Sequence, residues 1–258
     1  MKAIVLSAGQ GKRLLPLTAE APKCMLPVGG GITVLEFQLR TLARCGVDRA
    51  IVLVGFGAEH VERFLAETPI PGLSVETMYN PFYASSDNLV TCWLARSAMT
   101  DDFVLMNGDT LFEDDVLRRP LDGPLAPVTV TVDHKSEYDD DDMKVSLDHE
   151  GHVLAVGKTL PLETVGAESI GMLLFRDFGV KIFRDALDRA VRRRESVRAW
   201  YLSVVNEIAQ QHPVEARSIR GLWWREIDSP EDLAEARNSL PRQTDGPGST
   251  PRIAVAAK

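Results

Sequence analysis

The chain has 258 residues, enough for one large domain or two fused lobes with a sizeable hydrophobic core. Apolar residues make up 45% of it and charged residues 26%, the proportions of an ordinary soluble globular protein. The net charge of -8 argues against nucleic acid as a partner, because such binding relies on a basic surface, whereas a small anionic ligand needs only a local concentration of positive charge.

Membrane and disulfide-rich proteins are also excluded. The apolar runs fall short of the roughly 20 residues that a membrane-spanning helix requires, and the apolar stretch at residues 3–6 is too short for a signal peptide. Cys24, Cys45 and Cys92 are widely spaced and fit neither a disulfide framework nor a zinc site. We therefore expect a cytoplasmic protein with reduced thiols, and a homo-oligomer is compatible with the sequence.

The first part of the chain alternates strands and helices. Short apolar runs bounded by glycine predict buried strands, and apolar residues at helical spacing predict helices. We predict strands over 2–8, 50–55, 74–79 and 102–107, and helices over 32–45, 58–67 and 88–98. This alternation predicts an α/β fold with parallel βαβ units and right-handed crossovers.

Beyond residue 125 the pattern changes to short strands joined by turns. We predict strands over 126–133, 144–148, 152–157, 168–175, 214–219 and 223–227, and helices over 177–194, 201–211 and 229–240. The segment Ser229-Pro230-Glu231-Asp232 gives the last helix a capping serine, a first-position proline and acids in its first turn. We predict one domain over residues 1–240, with halves at about 1–125 and 126–240 that share a sheet, and a flexible tail at 241–258.

A glycine-rich loop directly follows the first strand and reads Leu6-Ser7-Ala8-Gly9-Gln10-Gly11-Lys12-Arg13-Leu14. Glycines let the backbone approach a phosphate closely, and Lys12 and Arg13 add positive charge at the same place. The loop is neither a Walker A motif, because arginine follows Gly11-Lys12, nor a dinucleotide fingerprint, because position 14 is leucine. Taken alone, it is equally compatible with a glycine turn beside a solvated basic pair.

The following residues extend this loop into a longer motif. Residues 9–18 read Gly-Gln-Gly-Lys-Arg-Leu-Leu-Pro-Leu-Thr, and Pro22-Lys23 follows. This segment resembles the nucleotidyltransferases that make nucleotide sugars and CDP-alcohols, whose pattern is G-x-G-[TS]-R-L-x-P-L-T and then P-K. Lys12 departs from it, because it replaces the usual threonine or serine. The resemblance implies a fold of the nucleotide-diphospho-sugar transferase type: a Rossmann-like, mixed and mainly parallel sheet flanked by helices, with a smaller β-rich acceptor-binding portion after residue 125.

The resemblance also implies roles for the residues of the motif. Arg13 would steady the departing pyrophosphate, and Lys23 would contact the α-phosphate or the acceptor phosphate. The nucleotide would be bound by residues of the loop: Leu6, Ala8, Gly9, Gly11 and Lys12.

Two distant aspartates resemble the metal ligands of this family. Asp109 lies in Asn107-Gly108-Asp109 at the end of a predicted strand, where ligands bind in open α/β sheets. Asp228 lies in a segment from Trp224 to Leu233 that resembles the closing W-x-[DE]-[IV]-D-[ST]-x-E-D-L pattern of the family. Two carboxylates suit Mg²⁺, which also coordinates water and substrate phosphates. Each aspartate taken alone could also be a turn or helix-start residue, but the joint occurrence of both with the glycine-rich loop disfavours that explanation.

Several residues match positions that hold the acceptor or the nucleoside. By resemblance, Lys144 and Lys158 hold the acceptor phosphate, although solvated strand ends would look the same. An ammonium-bearing acceptor would need aromatic faces or carboxylates. Rings at Trp200, Tyr201, Trp223 and Trp224 and the acidic run Asp139–Asp142 are candidates, with core packing and a solvated turn as the alternatives.

The stretch at residues 80–91 separates the subfamilies. It reads Asn-Pro-Phe-Tyr-Ala-Ser-Ser-Asp-Asn-Leu-Val-Thr and lacks the Q-x-x-P-x-G-[LT]-A segment of sugar-1-phosphate thymidylyl- and uridylyltransferases. It resembles instead the bacterial phosphocholine cytidylyltransferase group. Ser86, Asp87 and Asn88 are then candidates to bind the nucleoside, although a polar helix cap would have the same composition.

The sequence therefore predicts an enzyme that uses Mg²⁺ to transfer CMP from CTP to a small phosphorylated alcohol or phosphonate, with release of pyrophosphate. A sugar-1-phosphate nucleotidyltransferase that uses UTP or dTTP is the alternative enzyme. A non-catalytic, nucleotide-binding regulatory protein is the alternative of another class, disfavoured because Arg13, Lys23, Asp109 and Asp228 are all present.

Overall fold

The computed structural model describes residues 1–241, so all but the first residue of the predicted tail at 241–258 lies outside the described residues. The strands are β1 (Lys2–Ser7), β2 (Pro27–Gly29), β3 (Ile32–Thr33), β4 (Arg49–Val54), β5 (Ser74–Tyr79), β6 (Phe103–Asn107), β7 (Thr110–Phe112), β8 (Val128–Asp133), β9 (Lys144–Leu147), β10 (Val153–Gly157), β11 (Ala167–Phe175), β12 (Glu215–Ser218) and β13 (Trp224–Glu226). The helices are α1 (Val34–Arg44), α2 (Ala58–Glu67), α3 (Asn88–Leu94), α4 (Asp114–Leu121), α5 (Phe178–Ala190), α6 (Leu202–Ala209) and α7 (Pro230–Ser239).

A nine-stranded sheet forms the centre of the molecule. Seven of its strands follow the order β10-β9-β11-β6-β1-β4-β5, and β8 pairs with β11 and with β12. The strands β6, β1, β4 and β5 are parallel, as the alternating pattern predicts. Strand β11 then continues the sheet antiparallel to β6, so strands from both predicted halves lie in one mixed sheet.

Both faces of the sheet are covered by helices because alternate residues of its strands point to opposite sides. Along β1, Ile4 belongs to one hydrophobic cluster, together with residues of α3, α5 and α6. Its neighbours Ala3 and Val5 belong to a second cluster, which includes residues of α1 and α2. The predicted mixed, mainly parallel sheet flanked by helices is therefore confirmed.

The sequence patterns did not predict every element. Strands β2 and β7 and helix α4 lie in segments with no predicted element, whereas β3 occupies the first two residues of the helix predicted over 32–45, which begins only at Val34. The predicted helix over 177–194 ends earlier, at Ala190, and the one over 88–98 continues beyond Leu94 only as a 3₁₀ turn. Helix α4 is short and carries Pro120 near its end, features that weaken a helical pattern. Within residues 1–241 no helix has the length and apolar character needed to cross a membrane.

Candidate active site

A cavity of about 750 Å³ lies at the carboxyl ends of β1 and β6. These strands are parallel neighbours, with Leu6 opposite Asn107, so the loops that follow them meet at one edge of the sheet. The cavity is lined by all but one of the predicted site residues: Leu6, Ala8, Gly9, Gly11, Lys12, Arg13, Lys23, Ser86, Asp87, Asn88, Asp109, Lys158, Tyr201 and Asp228.

The glycine-rich loop has a conformation that its sequence requires. Gly11 has a φ of 73°, and a Cβ there would lie 2.9 Å from the Cβ of Lys23. The Thr18 hydroxyl donates to the carbonyl of Gly11 at 2.8 Å, which fixes the turn. Leu14 is fully buried, whereas Lys12 and Arg13 before it are exposed. The buried leucine therefore anchors the loop and leaves both basic side chains at the cavity.

Strand pairing brings the two predicted metal ligands together from positions 119 residues apart in the chain. Strand β13 pairs antiparallel with β7, with Glu226 opposite Thr110, and the Ile227 amide donates to the Asp109 carbonyl at 3.1 Å. Asp228 follows this pair and precedes α7. The amides of Asp228 and Ser229 both donate to the carboxylate of Asp232, at 3.0 and 2.7 Å.

Lys23 lies between the two aspartates. Its ammonium is 2.7 Å from an Asp109 oxygen and 2.5 Å from an Asp228 oxygen, and Arg13 reaches Asp228 at 2.6 Å. Burial alone would lower the pKa of Lys23, but the two carboxylates outweigh it and hold the pKa above its ordinary value. Burial would likewise raise the pKa of Asp228, but the charges of Lys23 and Arg13 lower it. These groups are therefore held in their charged forms.

Glu226 is a third carboxylate beside Asp109 and Asp228, and it is not among the predicted site residues. Oxygen atoms of Asp109, Glu226 and Asp228 all lie within 4.8 Å of one another. The Glu226 side chain reaches solvent through the open cavity, yet desolvation by the surrounding protein, followed by the charges of Asp109 and Asp228, raises the pKa of Glu226. Glu226 occupies the acidic position of the W-x-[DE]-[IV]-D pattern, and this position could have marked it in the sequence.

The three carboxylates fit a magnesium ion. Magnesium prefers carboxylate oxygens and retains water, and this cluster opens to the cavity. The Oδ1 atom of Asp109 is buried and has no hydrogen-bond partner within residues 1–241, so it is available as a ligand. The donor set of Asp109, Glu226 and Asp228 therefore suits this metal.

Of the two lysines predicted to hold the acceptor phosphate, one lines the cavity and the other does not. Lys158 lines the cavity, with its ammonium 3.4 Å from Asp141 and 4.8 Å from the ring centre of Trp200. Lys144 is 3% exposed and does not line the cavity. Its ammonium donates to the carbonyls of Asp139 and Lys158 and thereby links the acidic turn to the residue that directly follows β10. Lys144 is buried because β9 directs it inward, so its contacts differ from the predicted ones.

The predicted nucleoside-side residues differ in their availability to a ligand. The Ser86 hydroxyl donates to the carbonyl of Phe82 at 2.9 Å, and the Asn88 side chain accepts from the Tyr201 amide at 2.9 Å. Asp87 begins α3 without a side-chain capping bond, and burial raises its pKa despite nearby basic groups. Asp87 therefore keeps a carboxyl group that the helix does not use.

The aromatic candidates have separate positions. Tyr201 borders the cavity but is fully buried, and its hydroxyl donates to Asn107 at 3.3 Å. Trp200 is 40% exposed and lines the cavity. Trp224 also lines it, and its indole N–H donates to Asp133 at 2.8 Å. Trp223 instead packs its ring 6.3 Å from that of Phe37 in the hydrophobic core.

A mainly parallel sheet with a glycine-rich loop and clustered acids at its carboxyl edge defines a class of α/β proteins that bind nucleotides at that edge. Residues 2–121 match the model of the nucleotidyl transferase family. The chain therefore contains a domain of this family, in agreement with the motif resemblance.

Individual relatives agree with this assignment. CMP-5'-(3-aminopropyl)phosphonate synthase from Streptomyces rubellomurinus is 31% identical over 94% of this chain and 40% of its own length. Choline-phosphate cytidylyltransferase from Streptococcus pneumoniae is 30% identical over 45% of this chain and 47% of its own. The chain spans about half the length of the curated relatives that it matches.

A solved structure shows the same fold. The inositol-1-phosphate CTP transferase from T. maritima superimposes with a TM-score of 0.77 at 19% identity, over 95% of this chain and 98% of that one. The predicted fold of the nucleotide-diphospho-sugar transferase type is thus confirmed.

Proposed function

We propose that this chain is a magnesium-dependent cytidylyltransferase. It transfers CMP from CTP to a small phosphorylated alcohol or phosphonate and releases pyrophosphate. The observation that supports this proposal most strongly is the contact of Lys23 with both Asp109 and Asp228 at the wall of a cavity that the glycine-rich loop also lines. A phosphate-binding loop, a buried cation and clustered carboxylates are the groups that nucleotidyl transfer requires.

The reaction is an in-line displacement. A phosphonate or phosphate oxygen of the acceptor forms a bond to the α-phosphorus of CTP. The bond from that phosphorus to the bridging oxygen breaks, and pyrophosphate leaves with the electron pair. The acceptor oxygen is already ionised at neutral pH, so the chain needs to supply position and positive charge but no strong base.

Different residues of the cavity bind the phosphates, neutralise their charge and hold the metal in this proposal. Backbone N–H groups of the loop around Gly9 and Gly11 cradle the phosphates. Lys23 neutralises the oxygens of the α-phosphorus, and Arg13 neutralises the departing pyrophosphate. Asp109, Asp228 and Glu226 would hold magnesium, which supplies further positive charge to the triphosphate.

The acceptor lies on the side of Lys158 and Trp200. Lys158 currently pairs with Asp141, an exposed residue that also pairs with Arg13 at 3.2 Å. An acceptor phosphate replaces this carboxylate at Lys158, because exposed ion pairs are weak and a dianion attracts the lysine more strongly.

The choice of CTP rests on two observations. The 80–91 segment has the pattern of the phosphocholine cytidylyltransferase group. The names of two similar proteins refer to CMP or CTP: the phosphonate synthase and the inositol-1-phosphate CTP transferase.

A substrate panel tests the proposal. Each of four nucleotides (CTP, UTP, dTTP and ATP) is combined with phosphocholine, phosphoethanolamine, 2-aminoethylphosphonate, inositol 1-phosphate and glucose 1-phosphate. Released pyrophosphate is measured with Mg²⁺ present. We expect release with CTP and at least one phospho-alcohol or phosphonate, and a CMP-linked product of matching mass. Reactions without acceptor serve as the control for simple hydrolysis.

Two results would contradict the proposal in different ways. Turnover of sugar 1-phosphates with UTP or dTTP, but not of the other acceptors with CTP, would identify the alternative enzyme. Nucleotide binding without pyrophosphate release from any combination would identify a regulatory protein.

A further inference from the structure

A second pair of carboxylates lies in the cavity wall, apart from the three acids assigned to magnesium. Glu168 on β11 and Asp142 in the acidic turn both line the cavity. The ammonium of Lys135 lies 2.7 Å from an oxygen of each. This cluster, called here the Glu168 cluster, therefore contains two acids and one lysine.

One oxygen of the Glu168 carboxylate lacks a hydrogen-bond partner within the described residues. Its side chain is only 4% exposed, and its Oε2 atom accepts from Lys135. The other oxygen, Oε1, is buried and has no hydrogen-bond partner among residues 1–241. A buried carboxylate oxygen without a donor is costly, and such groups occur at sites where a ligand completes the bonding.

The neighbouring basic residues do not supply the missing donor. The Lys144 ammonium is engaged by two backbone carbonyls, and Lys158 is engaged by Asp141. Asp142 uses one oxygen for Lys135 and the other for the amide of Asp139 at 2.9 Å, and its carboxylate also lies within hydrogen-bonding reach of the Glu168 side chain. The Glu168 cluster thus sets two acidic side chains against one lysine, and both acidic residues line the cavity.

We propose that Glu168 Oε1 accepts a hydrogen bond from a primary ammonium group of the acceptor, so that the substrate class is an aminoalkyl phosphonate or aminoalkyl phosphate ester. This inference rests on the proposed cytidylyltransferase function and narrows its acceptor. A primary ammonium carries N–H donors and one positive charge, which together satisfy the unpaired oxygen and balance the cluster.

A quaternary ammonium does not fit the same position. A trimethylated nitrogen has no N–H and would leave Oε1 without a donor. Quaternary groups are usually held by several aromatic faces. Here one face of Trp200 is already covered by the ammonium of Lys158, and Tyr201 is fully buried. Trp224, a further ring at the cavity, has its indole N–H bound to Asp133. The position beside Glu168 therefore favours donor chemistry over an aromatic cage.

Acceptor analogues test this without any change to the protein. The three compounds are 2-aminoethylphosphonate, propylphosphonate, in which a methyl group replaces the ammonium, and the N,N,N-trimethyl derivative of 2-aminoethylphosphonate. We expect kcat/KM with CTP at pH 8 to be about 10- to 100-fold higher for the primary amine than for either analogue, the range of one charge-assisted hydrogen bond. Phosphoethanolamine against phosphocholine repeats the comparison for phosphate esters and shows which source of the ammonium is preferred.

The variant Glu168→Gln assigns the preference to this residue. We expect the ratio of kcat/KM for 2-aminoethylphosphonate over propylphosphonate to fall by about tenfold or more. The matched control is Glu163→Gln, which removes the same charge from an exposed position outside the cavity and leaves the ratio unchanged. Glu168→Asp keeps the charge, so its ratio is expected to lie between those of the wild type and Glu168→Gln.

The outcomes separate this inference from the proposed function. Pyrophosphate release with equal kcat/KM for the amine and its methyl analogue, or a preference for the trimethyl compound, overturns the inference and leaves the cytidylyltransferase intact. A Glu168→Gln variant that loses activity equally toward both phosphonates would show a merely structural cluster. The absence of release with every acceptor overturns the proposed function itself. If Glu168→Gln fails to fold, the wild-type preference among the three analogues still decides the matter.

Discussion

At the scale of single residues, Asp109 lies where its charge serves the proposed chemistry and is expected to cost stability. It lies among the like charges of Glu226 and Asp228, and its Oδ1 atom has no hydrogen-bond partner within residues 1–241. Lys23 and Arg13 compensate part of this negative charge. Functional sites commonly carry such unfavourable arrangements, because ligand binding requires groups that the fold alone does not satisfy.

The variant Asp109→Asn tests this view. We expect pyrophosphate release to fall about 100-fold or more, because a predicted metal ligand and a charge partner of Lys23 are lost. We expect the melting temperature to stay within a few degrees of the wild-type value or to rise, since repulsion from Glu226 and Asp228 is relieved. Activity is measured by pyrophosphate release, and stability by thermal unfolding followed by circular dichroism. Near wild-type turnover would contradict the role of Asp109.

At the scale of single elements, helix α7 determines where Asp228 lies. Ser229 and Asp232 form a reciprocal capping box, with the Ser229 hydroxyl accepting from the Asp232 amide at 3.1 Å. The Asp232 carboxylate also accepts the amide of Asp228. The cap therefore stabilises the start of the helix and holds the backbone of a predicted metal ligand at the same time.

The variant Ser229→Ala separates these two effects. Loss of the cap should lower the free energy of unfolding by about 1 kcal/mol, which corresponds to a fall of about 2–4 °C in melting temperature. We also expect a severalfold loss of kcat at 25 °C, where the protein remains folded, because Asp228 is held less firmly. The exposed strand residue Ser74 provides the control: Ser74→Ala should change neither quantity. An unchanged kcat would show that the cap serves stability alone.

The comparison of sequence with structure differs between element types. Strands β1, β4 and β6 were predicted to within a residue at each end, because their buried apolar runs have a clear pattern. Strand β5 matches its predicted range, although none of its residues is buried. Helix α4 escaped prediction because four of its eight residues are charged and Pro120 interrupts it. Strand β7 has only three residues and exists through its pairing with β13, which no local pattern can indicate.

Some site residues could be predicted from the sequence, whereas others depend on contacts that only the structure shows. The motif resemblance marked Arg13, Lys23, Asp109 and Asp228, and the structure brings all four together. Glu168 escaped attention because its significance depends on neighbours from another segment. The available signal was an acidic residue in the otherwise apolar strand 167–175, where an unpaired charge would be costly.

At the scale of the whole molecule, the continuous sheet explains why one cavity receives residues from both parts of the chain. Strand β6 pairs with the parallel strand β1 on one side and with the antiparallel strand β11 on the other. Its carboxyl end therefore lies between the glycine-rich loop and the strand that carries Glu168. Although the net charge is -8, the basic side chains of Lys12, Arg13, Lys23 and Lys158 lie at this edge, where the proposed function requires positive charge for the phosphates.

The same position of Glu168 has a consequence for the stability of the whole protein. Burial, only partly offset by Lys135, raises the pKa of Glu168 to about 7 from a model-compound value of 4.5. Between these two pH values the unfolded chain has released the proton that the folded chain still holds. Because the folded state binds more protons there, this residue makes the free energy of unfolding fall as pH rises from about 4.5 to about 7.

Replacement of Glu168 by Gln removes this pH dependence. From pH 5 to pH 8 the stability of Glu168→Gln should therefore improve relative to the wild type by on the order of 1–3 kcal/mol. Urea unfolding of both proteins at the two pH values measures the difference, and the exposed variant Glu163→Gln should show none. Parallel pH profiles of wild type and Glu168→Gln would contradict the raised pKa.

A primary amine bound at Oε1 would favour the ionised carboxylate, so saturating 2-aminoethylphosphonate should stabilise the wild type more at pH 8 than at pH 5, and this gain should be smaller in Glu168→Gln.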